Sequence, residues 1–140
     1  MTDEQAILAR LDRLGELVFA RDPKVVDELW TDAGFTLYGS EVGEVAHTRA
    51  EVTHLFNELY ARPFRIRWLW NNRQVSIAGD MAWLATDCRL QLTYPDRVEH
   101  LPYRITAVFQ WIAGQWRWRL YSGAEPSLPP AERSTISAAH

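Results

Sequence analysis

Asp87 and Arg104, and a scatter of hydroxyls among aromatic residues, are the groups in this chain whose types and spacing could do chemistry. A tight turn centred on Pro95-Asp96 sets Asp87 directly opposite Arg104 on neighbouring strands, with both side chains on one face of a sheet. Such a pair can simply brace two strands. In a pocket, Arg104 would anchor a carboxylate and Asp87 would act as a general base. Tyr38, Tyr103 and Ser122 could orient a ligand carbonyl or hydroxyl, or could be core residues whose hydroxyls are satisfied within the protein. The catalytic candidates are therefore Tyr38, Asp87 and Arg104.

Trp68, Trp70, Trp111, Trp116 and Trp118 offer more aromatic surface than a core of this size requires. They would pave a pocket for a flat or lipophilic ligand, or be buried in a dimer interface, where tryptophan and tyrosine are enriched. The candidate ligand-binding set is Tyr38, Trp68, Trp70, Cys88, Tyr103, Trp118 and Ser122. Cys88, mid-strand among apolar neighbours, reads as an inert small hydrophobe in that wall. His47, near a loop, and His54, on the third helix, read as having no acidic partner at metal-ligand spacing, His100 sits beside a turn, and a single cysteine excludes both an internal disulfide and a cysteine-based metal cage. Neither a metal nor a cofactor is expected. Glycine-rich phosphate motifs, nucleophile elbows and Ser/His/Asp sets are absent from the sequence.

Composition narrows the partners. A chain of 140 residues, 47% hydrophobic and 24% charged, suits one domain with a real core. Its net charge of −3 gives no electrostatic reason to expect nucleic acid or an anionic membrane surface. Lys24 is the only lysine among 15 basic side chains, and the arginines lie scattered among acids rather than in a basic patch. The first residues are acidic and helical in pattern, and no run approaches the ~18 apolar residues of a membrane span. A cytoplasmic location is expected.

The elements that would position these residues follow from periodicity. Ile7, Leu11, Leu14 and Val18 make one apolar stripe of a first helix within Asp3 to Ala20. Asp22-Pro23 opens a short second helix carrying Val26, Leu29 and Trp30 and ending near Gly34. Phe35 to Tyr38 reads as a short strand and Gly39 to Ala46 as a loop. Thr48-Arg49-Ala50-Glu51 is a capping box for a third helix with Val52, Leu55, Phe56 and Leu59 inward, stopped by Pro63. Phe64 to Trp70 and the stretch from Val75 to Glu125 then supply long antiparallel strands, with turns at Gly79-Asp80, Pro95-Asp96 and Ala113-Gly114.

Alternation along those strands sorts side chains into two faces. One holds Val75, Ile77, Ala82, Leu84, Cys88, Leu90, Tyr103, Ile105, Phe109, Trp116, Trp118, Leu120 and Ser122, and is almost wholly apolar. The other holds Trp83, Asp87, Arg89, Arg104, Val108, Arg117 and Tyr121. A regular ladder would put Trp68 and Trp70 on the wrong face, so one extra residue, a β-bulge, is expected within Asn71 to Arg73. Helices gathered before such a sheet make an α+β fold in residues 1–126, with 127–140 a polar tail.

Leu29-Trp30 before Phe35-Thr36-Leu37-Tyr38, His47-Thr48-Arg49, Ala78-Gly79-Asp80 before Ala82-Trp83, Tyr103-Arg104-Ile105-Thr106, and Trp116-Arg117-Trp118 through Gly123-Ala124-Glu125-Pro126 come in a telling order. Across about residues 5 to 126 the chain resembles the NTF2-like superfamily, and specifically a SnoaL-like domain. The resemblance implies three N-terminal helices wrapped by a strongly curved, mainly antiparallel sheet into a cone, with a pocket at its open end and commonly a dimer through the sheets. It does not carry one function, since the superfamily holds isomerases, cyclases, dehydratases, epoxide hydrolases and non-enzymatic binders. In ketosteroid isomerase an aspartate base works beside a tyrosine; here the base position falls at Tyr38 and the tyrosine position at Leu14. Limonene-type epoxide hydrolases use an Asp-Arg-Asp set, against which Asp87, Arg89 and Arg104 lack the second acid. Relatives ending in His-Gly-Ser-Glu-Pro have a histidine where this chain has Ser122.

These readings favour a dimeric domain that binds a hydrophobic small molecule. An acid/base enzyme acting on a polyketide- or terpenoid-like substrate is the alternative, and a protein-interaction module the third. An acid within the pocket would favour the enzyme; a pocket without one, the binder; a filled pocket, the interaction module.

Overall fold

Thr2 and Gln5 open the first helix by capping each other: the Thr2 hydroxyl accepts from the Gln5 N–H at 3.1 Å, and the Thr2 N–H donates to Gln5 Oε1 at 2.8 Å. The structure, a computed structural model, describes residues 1–130; residues 131–140, most of the expected tail, lie outside the described residues. Helix α1 (Asp3–Phe19) buries Ile7, Leu11, Leu14, Leu17 and Val18. It ends on Arg21 in the left-handed region at φ 53°, with the Asp22 N–H donating to the Leu17 carbonyl at 2.9 Å and the Arg21 N–H to the Val18 carbonyl at 3.1 Å. This is the paired-bond ending that satisfies the last helical carbonyls.

Helix α2 (Val25–Leu29) is shorter than its sequence pattern suggests, because Trp30 is already extended. Thr31 to Gly34 forms a turn instead, closed by the Gly34 N–H on the Thr31 carbonyl at 2.9 Å. Strand β1 (Thr36–Tyr38) pairs with a two-residue strand β2 (Val45–Ala46) that falls inside the stretch expected as loop. Helix α3 (Arg49–Tyr60) is capped by Thr48, whose hydroxyl accepts from the Glu51 N–H at 3.1 Å. The return bond differs from a simple capping box: the Glu51 carboxylate reaches back to the His47 N–H at 3.0 Å, which holds its pKa below the usual carboxylate range.

Five further strands, β3 (Arg65–Trp70), β4 (Gln74–Ala78), β5 (Met81–Thr93), β6 (Val98–Ile112) and β7 (Gln115–Ala124), complete the sheet. Its order is β2-β1-β7-β6-β5-β3, with β4 continuing beyond β3 along the same edge of β5. Among the described residues only the β1–β7 pair is parallel. The turns behave as their residues demand. Ile77 faces Ala82 across Gly79-Asp80, and Asp87 faces Arg104 across the Pro95-Asp96 turn. Ala113 and Gly114 both take positive φ, 50° and 82°, the geometry whose twist matches a two-residue hairpin.

The expected bulge is present. Trp70 pairs with Cys88 and Gln74 with Ala85, so three residues, Asn71 to Arg73, oppose the two residues Thr86 and Asp87. Trp68, Trp70, Val75 and Ile77 therefore share a face. A second irregularity, not foreseen, corrects the sorting of β7: Phe109 pairs with Trp118 but Val108 with Leu120, leaving Arg119 as an extra residue. Beyond it every side chain changes face, so Tyr121 and Gly123 turn to the concave side and Leu120 and Ser122 to the convex side.

Helices and concave face enclose the core, which includes the wholly buried Trp118. At the closed end the Trp118 indole N–H donates to the buried Glu28 carboxylate at 2.9 Å, and Arg10 pairs with the same carboxylate at 3.0 Å. Trp116 is tied through its N–H to Asp3 at 3.0 Å. No helix among the described residues is long and apolar enough to cross a membrane.

Candidate functional site

At the other end, between the helices and the concave face, lies a cavity of about 370 Å³. Its wall is built one face at a time. Helix α1 contributes Leu14, α2 Leu29, β1 Leu37, and α3 Leu55, Phe56 and Leu59; the sheet contributes Ile66 and Trp68 from β3, Leu90 and Leu92 from β5, and Leu101 from β6. The volume falls within the range of small-molecule sites, and the wall is mostly hydrophobic as such sites are.

Two buried polar groups interrupt that wall. Tyr103 and Tyr121 are each 7% exposed, and their hydroxyls lie 3.4 Å apart. Gly123 makes room for them: a Cβ at that position would sit 2.0 Å from the Tyr103 hydroxyl oxygen and 3.0 Å from that of Tyr121. Burial pushes the Tyr103 pKa up, with the nearby Glu44 and Glu125 carboxylates adding to the shift against opposing hydrogen bonds from Tyr121 and Ser40. Tyr121 is raised well above the ordinary phenol value, again chiefly by burial. Both are therefore neutral at physiological pH and act as donors. Two hydroxyl protons share one mutual contact, so one proton is left for a third oxygen, Ser40 or a ligand.

Among the described residues, the charged side chains that line the cavity are half-buried or exposed. Glu41, Glu44, Arg62, Glu99 and Glu125 line its rim. Arg62 grips Glu41 through two bonds of 2.8 and 2.6 Å, which lowers the Glu41 pKa. The Ser40 hydroxyl lies 3.5 Å from Glu125. Among the described residues no cluster of three His, Cys, Asp or Glu side chains is placed to hold a metal ion.

A family model described as the SnoaL-like domain matches residues 7–123. The chain belongs to the SnoaL-like domain family. Solved structures place this SnoaL-like domain in the NTF2-like fold. One is a proposed dehydratase of the NTF2-like family from Streptomyces avermitilis, 17% identical with TM-score 0.79, covering 90% of this chain and 98% of that one. Another is ActVI-ORFA from Streptomyces coelicolor, 18% identical with TM-score 0.75 over 89% of this chain and 98% of that one. A third is an NTF2-like protein with a cystatin-like fold from Novosphingobium aromaticivorans, 19% identical with TM-score 0.73 over 96% and 88% of the two chains. No curated protein sequence matches significantly.

Of the candidates read from sequence, the SnoaL-like domain brings Trp68 and Tyr103 to the cavity wall. Tyr38 is 43% exposed and stacks edge-on against His47 outside it, because alternation along β1 sends Leu37 inward instead. Asp87 and Arg104 do pair, at 2.9 Å, but on the convex face in solvent and away from the cavity. Trp70 stacks on Trp68 behind the wall, and Cys88 is buried with its thiol pushed up to about 11 by burial. Trp118 belongs to the core, and Ser122 faces outward after the Arg119 bulge. Tyr121, Gly123 and the rim acids were not anticipated. The spacing Trp116, Trp118, Tyr121, Gly123, in which a two-residue step lengthens to three, was the available signal for Tyr121.

Proposed function

We propose that this SnoaL-like domain binds an apolar small molecule inside the cone, holding one oxygen of it against the Tyr103–Tyr121 pair. The observation that carries this reading is a cavity of about 370 Å³ with a mostly apolar wall, in which the buried polar groups among the described residues are two neutral phenols, while the lining carboxylates are exposed (Glu41, Glu125) or half-buried (Glu44, Glu99). A phenol that burial keeps protonated retains its proton to donate and is no general base, which suits recognition of a carbonyl or hydroxyl. Titration with neutral terpenoid or polycyclic ketones should quench tryptophan fluorescence saturably, with the change lost in Trp68→Phe. Tyr103→Phe should weaken binding roughly five- to tenfold, the loss of about one net hydrogen bond. Absence of saturable binding across the panel would refute the reading.

An acid/base enzyme on a polyketide- or terpenoid-like substrate remains the second reading, and one observation favours it. Glu44 lies close enough to Tyr103 and Tyr121 to act on both electrostatically, as a base beside a pair of oxyanion donors would. Turnover of a bound ketone that disappears in Glu44→Gln would put the enzyme ahead of the binder.

A further inference from the structure

The rim is acidic in a way that sorts ligands by charge. Among the described residues the cation that lines the mouth, Arg62, is held by Glu41 through two short bonds, and Glu99 there is paired with Arg97 at 2.9 Å. Glu44 and Glu125 have no ion pair among the described residues. Glu44 is held instead by the Glu41 N–H at 2.8 Å, and Glu125 has only the Ser40 hydroxyl at 3.5 Å. Both line the cavity beside Tyr103. An incoming carboxylate would meet four acids at the mouth, Glu41, Glu44, Glu99 and Glu125, against the cations Arg62 and Arg97, and among the described residues no guanidinium or ammonium free of an acid lines the cavity.

On the binding reading above, we propose that the site is a filter against anions: it takes neutral apolar molecules with one hydrogen-bond acceptor at the inner end, and turns away the corresponding free acids. The acceptor meets the spare phenol proton of the tyrosine pair, and the rest of the molecule meets leucine, phenylalanine and Trp68. A carboxylate would accept that same proton at least as well, so discrimination rests on the rim rather than on the tyrosines. Ligands reach this domain as ketones, esters or ethers, not as carboxylic acids.

Four probes of one shape separate the possibilities by calorimetry at low ionic strength: 2-acetylnaphthalene, 2-ethylnaphthalene, 2-naphthoate and 2-(aminomethyl)naphthalene as its ammonium. The ketone should bind most tightly. The ethyl compound should bind several-fold more weakly because it lacks the acceptor. Naphthoate should bind at least about tenfold more weakly than the ketone, with a gap that shrinks in 0.5 M salt as the rim charges are screened. The ammonium should bind more tightly than naphthoate, since the rim attracts it. Glu44→Gln with Glu125→Gln should narrow the ketone-to-naphthoate ratio several-fold, and retained ketone binding by that variant certifies that it is folded. Naphthoate matching the ketone, or an ammonium as weak as the naphthoate, overturns the filter while leaving the pocket reading intact. Failure of all four to bind overturns both.

Discussion

Asp87 and Arg104 show at the level of single residues how place decides role. Their ion pair is real, but both side chains are more than 60% exposed on the convex face. Asp87→Asn should therefore cost at most about 1 kcal/mol of stability, the range of solvent-exposed pairs, and leave ligand binding unchanged. Chemical denaturation and a ligand titration check this; loss of binding would mean that the convex face serves the site. The tyrosines make a contrasting prediction. Tyr60, Tyr103 and Tyr121 all have pKa values raised by burial, and above pH ~10 the unfolded chain loses phenolic protons that the folded chain keeps. The unfolded state then binds fewer protons, so stability falls with rising pH. Unfolding free energy should be insensitive to these groups below pH ~10 and decline above it. Tyr103→Phe combined with Tyr121→Phe should flatten that alkaline decline; an unchanged slope would contradict the burial described.

Elements translate such placement into geometry, and α1 is the clearest case. It supplies Leu14 to the cavity and lies across β3, where Gly15 faces Trp68. A Cβ on Gly15 would stand 3.8 Å from the Trp68 ring, an ordinary contact, and Gly15 is mid-helix without positive φ. Gly15→Ala should thus stabilise the fold by about 0.5–1 kcal/mol, the difference in helix propensity, and raise the melting temperature by a few degrees. A lower melting temperature would show that α1 and β3 sit closer than described. The two bulges act on the sheet in the same manner. One keeps Trp68 on the concave face, and the other delivers Tyr121 there.

At the scale of the whole molecule, the unassigned surface is the convex face. Trp83 is 47% exposed there, beside half-buried Val108 and Leu120 and the arginines of β6 and β7. An apolar centre with a polar rim suits a second copy of the chain, although Tyr121, first counted in this surface, has gone to the core side. Sedimentation at tens of micromolar should find a dimer, and Trp83→Glu should convert it to a folded monomer. A wild-type monomer would leave the exposed tryptophan without this role.

The sequence by itself determined what short-range rules control. Helical stripes, the Thr48 cap, the turn pairs and the Asp87–Arg104 register all follow from nearest neighbours along one or two strands. Even the Asn71–Arg73 bulge was legible, because Trp68 and Trp70 would otherwise have been stranded on a polar face. Only the tertiary structure decided which of two equally apolar tryptophans meets a cavity and which meets Glu28. The same is true of Ser122 and Tyr121. Hairpin counting from Ala113-Gly114 assigns their faces correctly only if no residue is extra, and Arg119 is extra. The rim acids were invisible for a related reason. The neighbours Glu41 and Glu44 lie far in sequence from Glu99 and Glu125, and the four become one charged mouth only when the sheet bends around the helices.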